Sequence, residues 1–199
     1  EWRARNFRNI TMASILLTPP AAEPLSLAEA KAFLRLETAD DDPLIAAFIS
    51  AARLHVETQT GLALVTQSWR IVLDCWPANG RIAVRPAPLQ MLTAARVFDF
   101  DGEIRTIDAQ AFVPDLSTST LSFIPWALPM PTRISAGIEL DIAVGFGDVA
   151  SNVPEPIRQA IRILVAHWHE NRAIVAGAEV APVPANAAAL IAPYRMLPL

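Results

Sequence analysis

The apolar residues of this chain keep two different periods, and the switch from one to the other and back constrains the architecture more than any other feature. Leu44, Ile45, Phe48, Ile49, Ala52 and Val56 recur at helical spacing. From Ser68 to Trp76 the pattern becomes strict alternation, with Trp69, Ile71, Leu73 and Cys75 on one side and Arg70, Val72 and Asp74 on the other. Helical spacing returns with Ile157, Ile161, Leu164, Val165 and Trp168. A stretch written in one period cannot bury its apolar face in the other geometry. The pattern therefore predicts an α+β fold: a small helical core of two N-terminal helices and one long C-terminal helix, with an antiparallel β region inserted at about residues 67–147.

Local signals set the boundaries. Ser26-Leu27-Ala28-Glu29 is a capping box, in which hydroxyl and carboxylate each satisfy a free amide of the first turn. It predicts a helix to about Leu36 with Leu27, Ala30, Phe33 and Leu34 on its apolar face. Asp40, Asp41 and Asp42 ahead of Pro43 place carboxylates at the positive end of a second helix, which Gly61 closes after Thr60. Further strands are expected at Arg81–Arg85, Met91–Phe100, Glu103–Ile107, Leu121–Ile124 and Gly137–Phe146, with Asp101-Gly102 as a hairpin turn. The long helix runs from about Asn152–Pro156 to Arg172, and a short one spans about Pro184–Ile191. Residues 1–23 read as an extended arm, basic at Arg3, Arg5 and Arg8, with Met12 a candidate start just beyond. Residues 24–191 read as one domain and 192–199 as a tail.

Charge is scarce: 18% of residues are charged and 53% hydrophobic, against about a quarter and about half in ordinary globular domains. A folded monomer of 21.6 kDa exposes roughly 9,000 Å², so sizeable neutral patches remain, which suits permanent protein partners. The surplus does not come from a membrane span. The longest run free of Asp, Glu, Lys, Arg and His, Leu116–Thr132, is 17 residues rich in Ser, Thr and Pro, and Ala13–Leu17 is too short for a signal segment. The chain reads as soluble and unexported. A net charge of −4 argues against nonspecific DNA binding. Cys75, the one cysteine, reads as a buried strand residue in a reducing compartment.

Candidates for chemistry are few. His167, His169 and Glu170 are metal-ligand types, but residues two apart on a helix point about 200° away from each other, so the two histidines cannot chelate one ion from it. Only His55 is left to complete a site. Asp40–Asp42 lack the alternating ligands, glycine and distal glutamate of a calcium loop. Glu139 and Asp141 share a strand face and mimic a carboxylate pair, as solvated sheet faces commonly do. Trp69 belongs to the buried face by alternation. The residues leave open a small metal-dependent hydrolase using His167 and Glu170, or a carbohydrate-binding tail or baseplate module using exposed Trp76 and Trp126.

Several segments carry a resemblance in order and spacing. Pro24-Leu25-Ser26-Leu27-Ala28-Glu29-Ala30-Lys31 leads to Leu34-Arg35, then Asp42-Pro43-Leu44-Ile45 to Thr60-Gly61, and Gln67-Ser68-Trp69-Arg70. Later come Val153-Pro154-Glu155-Pro156-Ile157-Arg158, Val165-Ala166-His167-Trp168-His169-Glu170-Asn171-Arg172 and Ala192-Pro193-Tyr194-Arg195. Together, from Pro24 to Arg195, they resemble phage head–tail connector (adaptor) proteins, including those of gene transfer agents. The resemblance implies a non-enzymatic subunit without metal or cofactor, in a ring of about twelve copies below a portal. DNA would pass through the ring without specific binding, and a stopper or tail-terminator protein would attach to it. Assembly would take place in the bacterial cytoplasm, and the mature location would be the head–tail junction of the particle. By the same resemblance the C-terminal tail docks against the portal through Tyr194, Arg195, Met196 and Leu197, and would be mobile in the free subunit.

Overall fold

The computed structural model describes residues 12–171 and 183–196. Residues 1–11 of the expected 1–23 arm, with Arg3, Arg5 and Arg8, and the proposed helix end at Arg172 lie outside them. The fold is α+β, with four helices and antiparallel sheets, and the chain divides into two compact units. One comprises the residues up to Pro19 with Ser68–Val144; the other comprises Pro20–Gln67 with the chain from Gly145 onward.

The first unit is built from strands β1 (Met12–Thr18), β2 (Gln67–Leu73), β3 (Arg81–Ala83), β4 (Leu89–Phe98), β5 (Ile104–Ile107), β6 (Phe112–Asp115), β7 (Thr120–Phe123) and β8 (Ile138–Val144). They form a five-stranded sheet in the order β1-β2-β8-β4-β5 and a three-stranded sheet β3-β7-β6. Alternation decides which face is buried. Ile138, Leu140, Ile142 and Val144 are fully buried on β8, as are Ile71 and Leu73 on β2 and Ala95 and Val97 on β4. Asp101-Gly102 turns the β4–β5 hairpin, with Gly102 at φ +85°.

Two strands escape the periodicity. β1 has every described side chain from Ala13 to Thr18 exposed, so no alternation marks it; β2 holds it, with Ile15 opposite Arg70 and Leu16 opposite Trp69. β6 contains Pro114, which a sheet tolerates on an edge strand. Three expected placements also change. β2 ends at Leu73, so Cys75 lies in a half-buried bend and not in a core strand. Trp69 is half-buried, its strand being one removed from the sheet edge. Trp76 is buried instead, its ring centroid 5.9 Å from Phe112 and 5.1 Å from Phe123, and its indole N–H donates to the Pro129 carbonyl at 2.9 Å.

The second unit holds α1 (Leu27–Leu34), α2 (Asp42–Thr60), α3 (Glu155–Glu170) and α4 (Ala185–Ile191). Ile45, Ile49, Ala52 and Val56 of α2 are buried, with Ile157, Ile161, Leu164 and Val165 of α3 and Ala187 and Ile191 of α4. Phe33, expected on the apolar face of α1, is exposed instead, because this short helix fully buries only Ala30. The capping box is present. Glu29 N–H donates to the Ser26 hydroxyl at 3.2 Å, and Ser26 N–H donates to the Glu29 carboxylate at 3.0 Å. Substituting Ser26→Ala is expected to cost about 1 kcal/mol in urea unfolding, the ordinary worth of such a cap. Gly61 closes α2 at φ +74°, its N–H donating to the Glu57 carbonyl at 2.8 Å.

Ion pairs fasten this unit. Arg53, mostly buried on α2, grips Glu23 at 2.8 Å and Glu57 at 2.9 Å. Arg158 on α3 holds Glu29 and Glu155, and donates to the Pro24 carbonyl at 3.1 Å. The connection from Pro20 to Ser26 is therefore tied to both long helices by charge-assisted hydrogen bonds. Just past β8 the chain runs against residues 64–66, where Phe146 N–H donates to the Leu64 carbonyl and Thr66 N–H to that of Gly147. That approach requires Gly145, at φ +127°, since a β-carbon there would lie 2.7 Å from the Val65 carbonyl carbon.

Candidate assembly interface

Two of the scarce charges, Arg53 and Asp141, are buried. On the polar face of the five-stranded sheet, Asp141 is bound by Arg70 at 2.6 Å and Arg96 at 2.7 Å, and Arg70 also reaches Glu139 at 3.1 Å. The simple solvated face expected for Glu139 and Asp141 is therefore corrected to a neutral ion network in which Asp141 is buried. Burial alone would raise the carboxyl pKa of Asp141. The hydrogen bonds and charges of Arg70 and Arg96 outweigh burial and hold it below the usual range. Arg70 and Arg96 engage both carboxylates.

The sign of the pH effect follows. Because Asp141 binds its proton less readily in the folded state, unfolded chains take up protons first as the pH drops. The contribution is complete above the usual value of 3.8 and is lost as the pH falls through the lower folded value. Asp141→Asn is expected to lose about 2 kcal/mol at neutral pH, between the exposed and buried limits for such pairs. It is also expected to flatten the acid limb of the stability profile, measured by urea midpoints from pH 7 to pH 3.

The remaining polar candidates resolve as structural. Asp42 pairs with Lys31 at 2.6 Å, and Asp41, at the start of α2, lies 3.2 Å from His169. His167 Nδ1 lies 3.2 Å from the Asn171 amide, and Trp168 packs between Phe48 and His55, each ring centroid 6.3 Å away. His169 thus serves the start of α2 and Trp168 the packing, while His167 Nε2 is buried with no hydrogen-bond partner among the described residues. Among the described residues no group of three or more His, Cys, Asp or Glu comes together to hold a metal ion. The pair of exposed rings expected for a carbohydrate platform is not there, because Trp76 is buried while Trp126 is 87% exposed. No helix among the described residues is long and apolar enough to cross a membrane.

What the surface does offer is apolar. Trp126 stands on a single 3-10 turn (Pro125–Ala127), with Ile124 and Met130 also exposed. Phe100 projects at the β4–β5 turn, tied to the segment bearing exposed Ile134 through its N–H donating to Thr132 at 2.8 Å. β1 presents Ile15, Leu16 and Leu17. Of these only Trp126 stood out in the sequence. For β1 the readable signal is the run Thr11–Ala22, which contains no charged residue.

The C-terminal segment is less free than expected. After α4, Ala192–Tyr194 forms a 3-10 turn; Tyr194 is half-buried and Arg195 exposed. Met196 N–H donates to the Thr60 carbonyl at 2.9 Å, closing an open acceptor at the end of α2, and Arg195 reaches Gln59 at 3.4 Å. Leu197 lies outside the described residues.

No protein-family model matches the chain, and no curated protein matches its sequence. Solved structures do. A chain in the neck of an empty GTA particle computed with C6 symmetry aligns over 95% of this chain and 97% of its own, with TM-score 0.74 and 25% identity. A chain in the virion of a native gene transfer agent particle aligns over 94% and 96%, with TM-score 0.76 and 26% identity. A third, in the neck of a native GTA particle computed with C12 symmetry, gives TM-score 0.73 and 25% identity over 95% and 97%. These neighbours agree with the head–tail connector resemblance carried by the sequence.

Proposed function

We propose that this chain is a structural component of a phage-like particle, a head–tail adaptor acting as one subunit of a ring below the portal. The observation that carries the reading is the near end-to-end similarity to neck chains, one of them in a neck computed with C12 symmetry. A cyclic ring of about twelve copies needs two different lateral surfaces on each subunit. The low charge and the exposed apolar side chains suit a subunit flanked on both sides. The net charge of −4 suits a conduit that lets DNA pass without holding it.

In this reading the chain catalyses nothing. It is made in the bacterial cytoplasm and joins the particle at the head–tail junction, where it receives a stopper or tail-terminator protein. Tyr194, Arg195, Met196 and Leu197 are the segment that engages the portal. Deleting the gene from a producing strain tests the role. Filled or leaking heads and separate, complete tails are expected; normal tailed particles would refute it.

A further inference from the structure

Met12 is the first residue of β1, and strand register fixes which end of the five-stranded sheet it occupies. It lies opposite Leu73 on β2. The next residue, Asp74, accepts from the Ser135 hydroxyl at 3.2 Å and from the Ala136 N–H at 2.8 Å, just ahead of β8. At the end of β4, Phe98 N–H donates to the Gly137 carbonyl at 2.9 Å, and Phe100 N–H is held by Thr132. Met12 and the β4–β5 turn therefore share one end of the sheet, three strand spacings or about 14 Å apart. That end is both apolar and acidic. Phe100 and Ile134 are each 76% exposed, Met130 64% and Ile104 57%. Asp101 and Glu103 are exposed in the same turn, and with Asp74 and Asp99 they outnumber the guanidiniums of Arg105 and Arg133. Arg133 is already engaged over the Phe98 ring at 5.6 Å.

We infer that residues 1–11 fold back from Met12 over this end of the sheet in their own chain, Trp2 and Phe7 covering its exposed apolar side chains and the arginines meeting Asp101 and Glu103. Three observations select that occupant. Eleven residues reach up to about 36 Å, more than twice the span to be crossed. They carry the complementary chemistry, with Arg3, Arg5 and Arg8 against the single Glu1, and with two aromatic rings for an apolar surface. Their attachment at Met12, on the same sheet end, makes the contact intramolecular, at an effective concentration of the order of millimolar that a separate chain does not match. The inference is independent of the adaptor reading.

The test uses the full chain in solution, its methyl groups observed by nuclear magnetic resonance while a soluble paramagnetic agent broadens those that water reaches. Met91 and Val113, 55% and 67% exposed, are the reference. The methyl groups of Ile104, Met130 and Ile134 are expected to broaden about threefold less than these two, because the tethered segment stays seated. Two full-length variants, W2S/F7S and R3E/R5E/R8E, are expected to bring all five residues level. Equal broadening in the unmodified chain would overturn the inference, and so would protection that survives both variants. Protection that fades on about tenfold dilution would assign the cover to a second copy and overturn the choice of occupant.

Discussion

Removing residues 194–199 is expected to lower the affinity of the chain for an isolated portal ring by more than about a hundredfold, while the chain still folds, its unfolding midpoint lowered by loss of the Met196–Thr60 hydrogen bond. The segment holds an aromatic ring, a guanidinium and apolar side chains, the types that dominate interface energetics. Its described part is already ordered by the Met196 N–H bond to the Thr60 carbonyl, so docking loses less chain entropy than a free tail would. Arg195 is exposed and held only by a 3.4 Å contact to Gln59, leaving it available to a partner. Surface plasmon resonance against immobilised portal checks this. Unchanged affinity would remove the docking role from Tyr194, Arg195, Met196 and Leu197.

Gly145→Ala is expected to be strongly damaging, at about 4 kcal/mol. Backbone at φ +127° is strained for any side chain, and the added carbon would meet Val65 and Thr66 backbone atoms at 2.7–2.8 Å. Neither partner is a flexible side-chain tip; both belong to the segment whose Leu64 carbonyl accepts from Phe146 N–H and whose Thr66 N–H donates to the Gly147 carbonyl. For a chain of this size the melting midpoint should fall by roughly 12 °C, read by circular dichroism. A shift under about 2 °C would show that residues 64–66 give way.

Much of this fold is legible in the sequence because helical and strand periods differ so clearly. The capping box at Ser26, the glycine at 61 and the alternation in Ile138–Val144 each carry their own physical signature. β1 and β6 do not. A strand exposed on both faces shows no alternation, and Pro114 reads as a strand breaker until the residue is placed on an edge. Cys75 and Trp76 exchange environments because β2 ends at Leu73, a boundary set by tertiary packing and not by local pattern. The ion network around Asp141 is hidden for a related reason: its members come from β2, β4 and β8, and only strand order brings Arg70 and Arg96 to one carboxylate. The interface was legible as a deficit of charge, but its location was not. Periodicity tells which residues turn away from the core, not which of those another chain will cover.

The central claim is that this chain forms a ring at the junction of head and tail. Electron cryomicroscopy of particles carrying a small labelled domain on the chain tests it most directly. The account predicts labels in a closed annulus between portal and tail, about twelve to a particle. Purified particles that lack the chain, or labels on the capsid shell or tail tip, would contradict it.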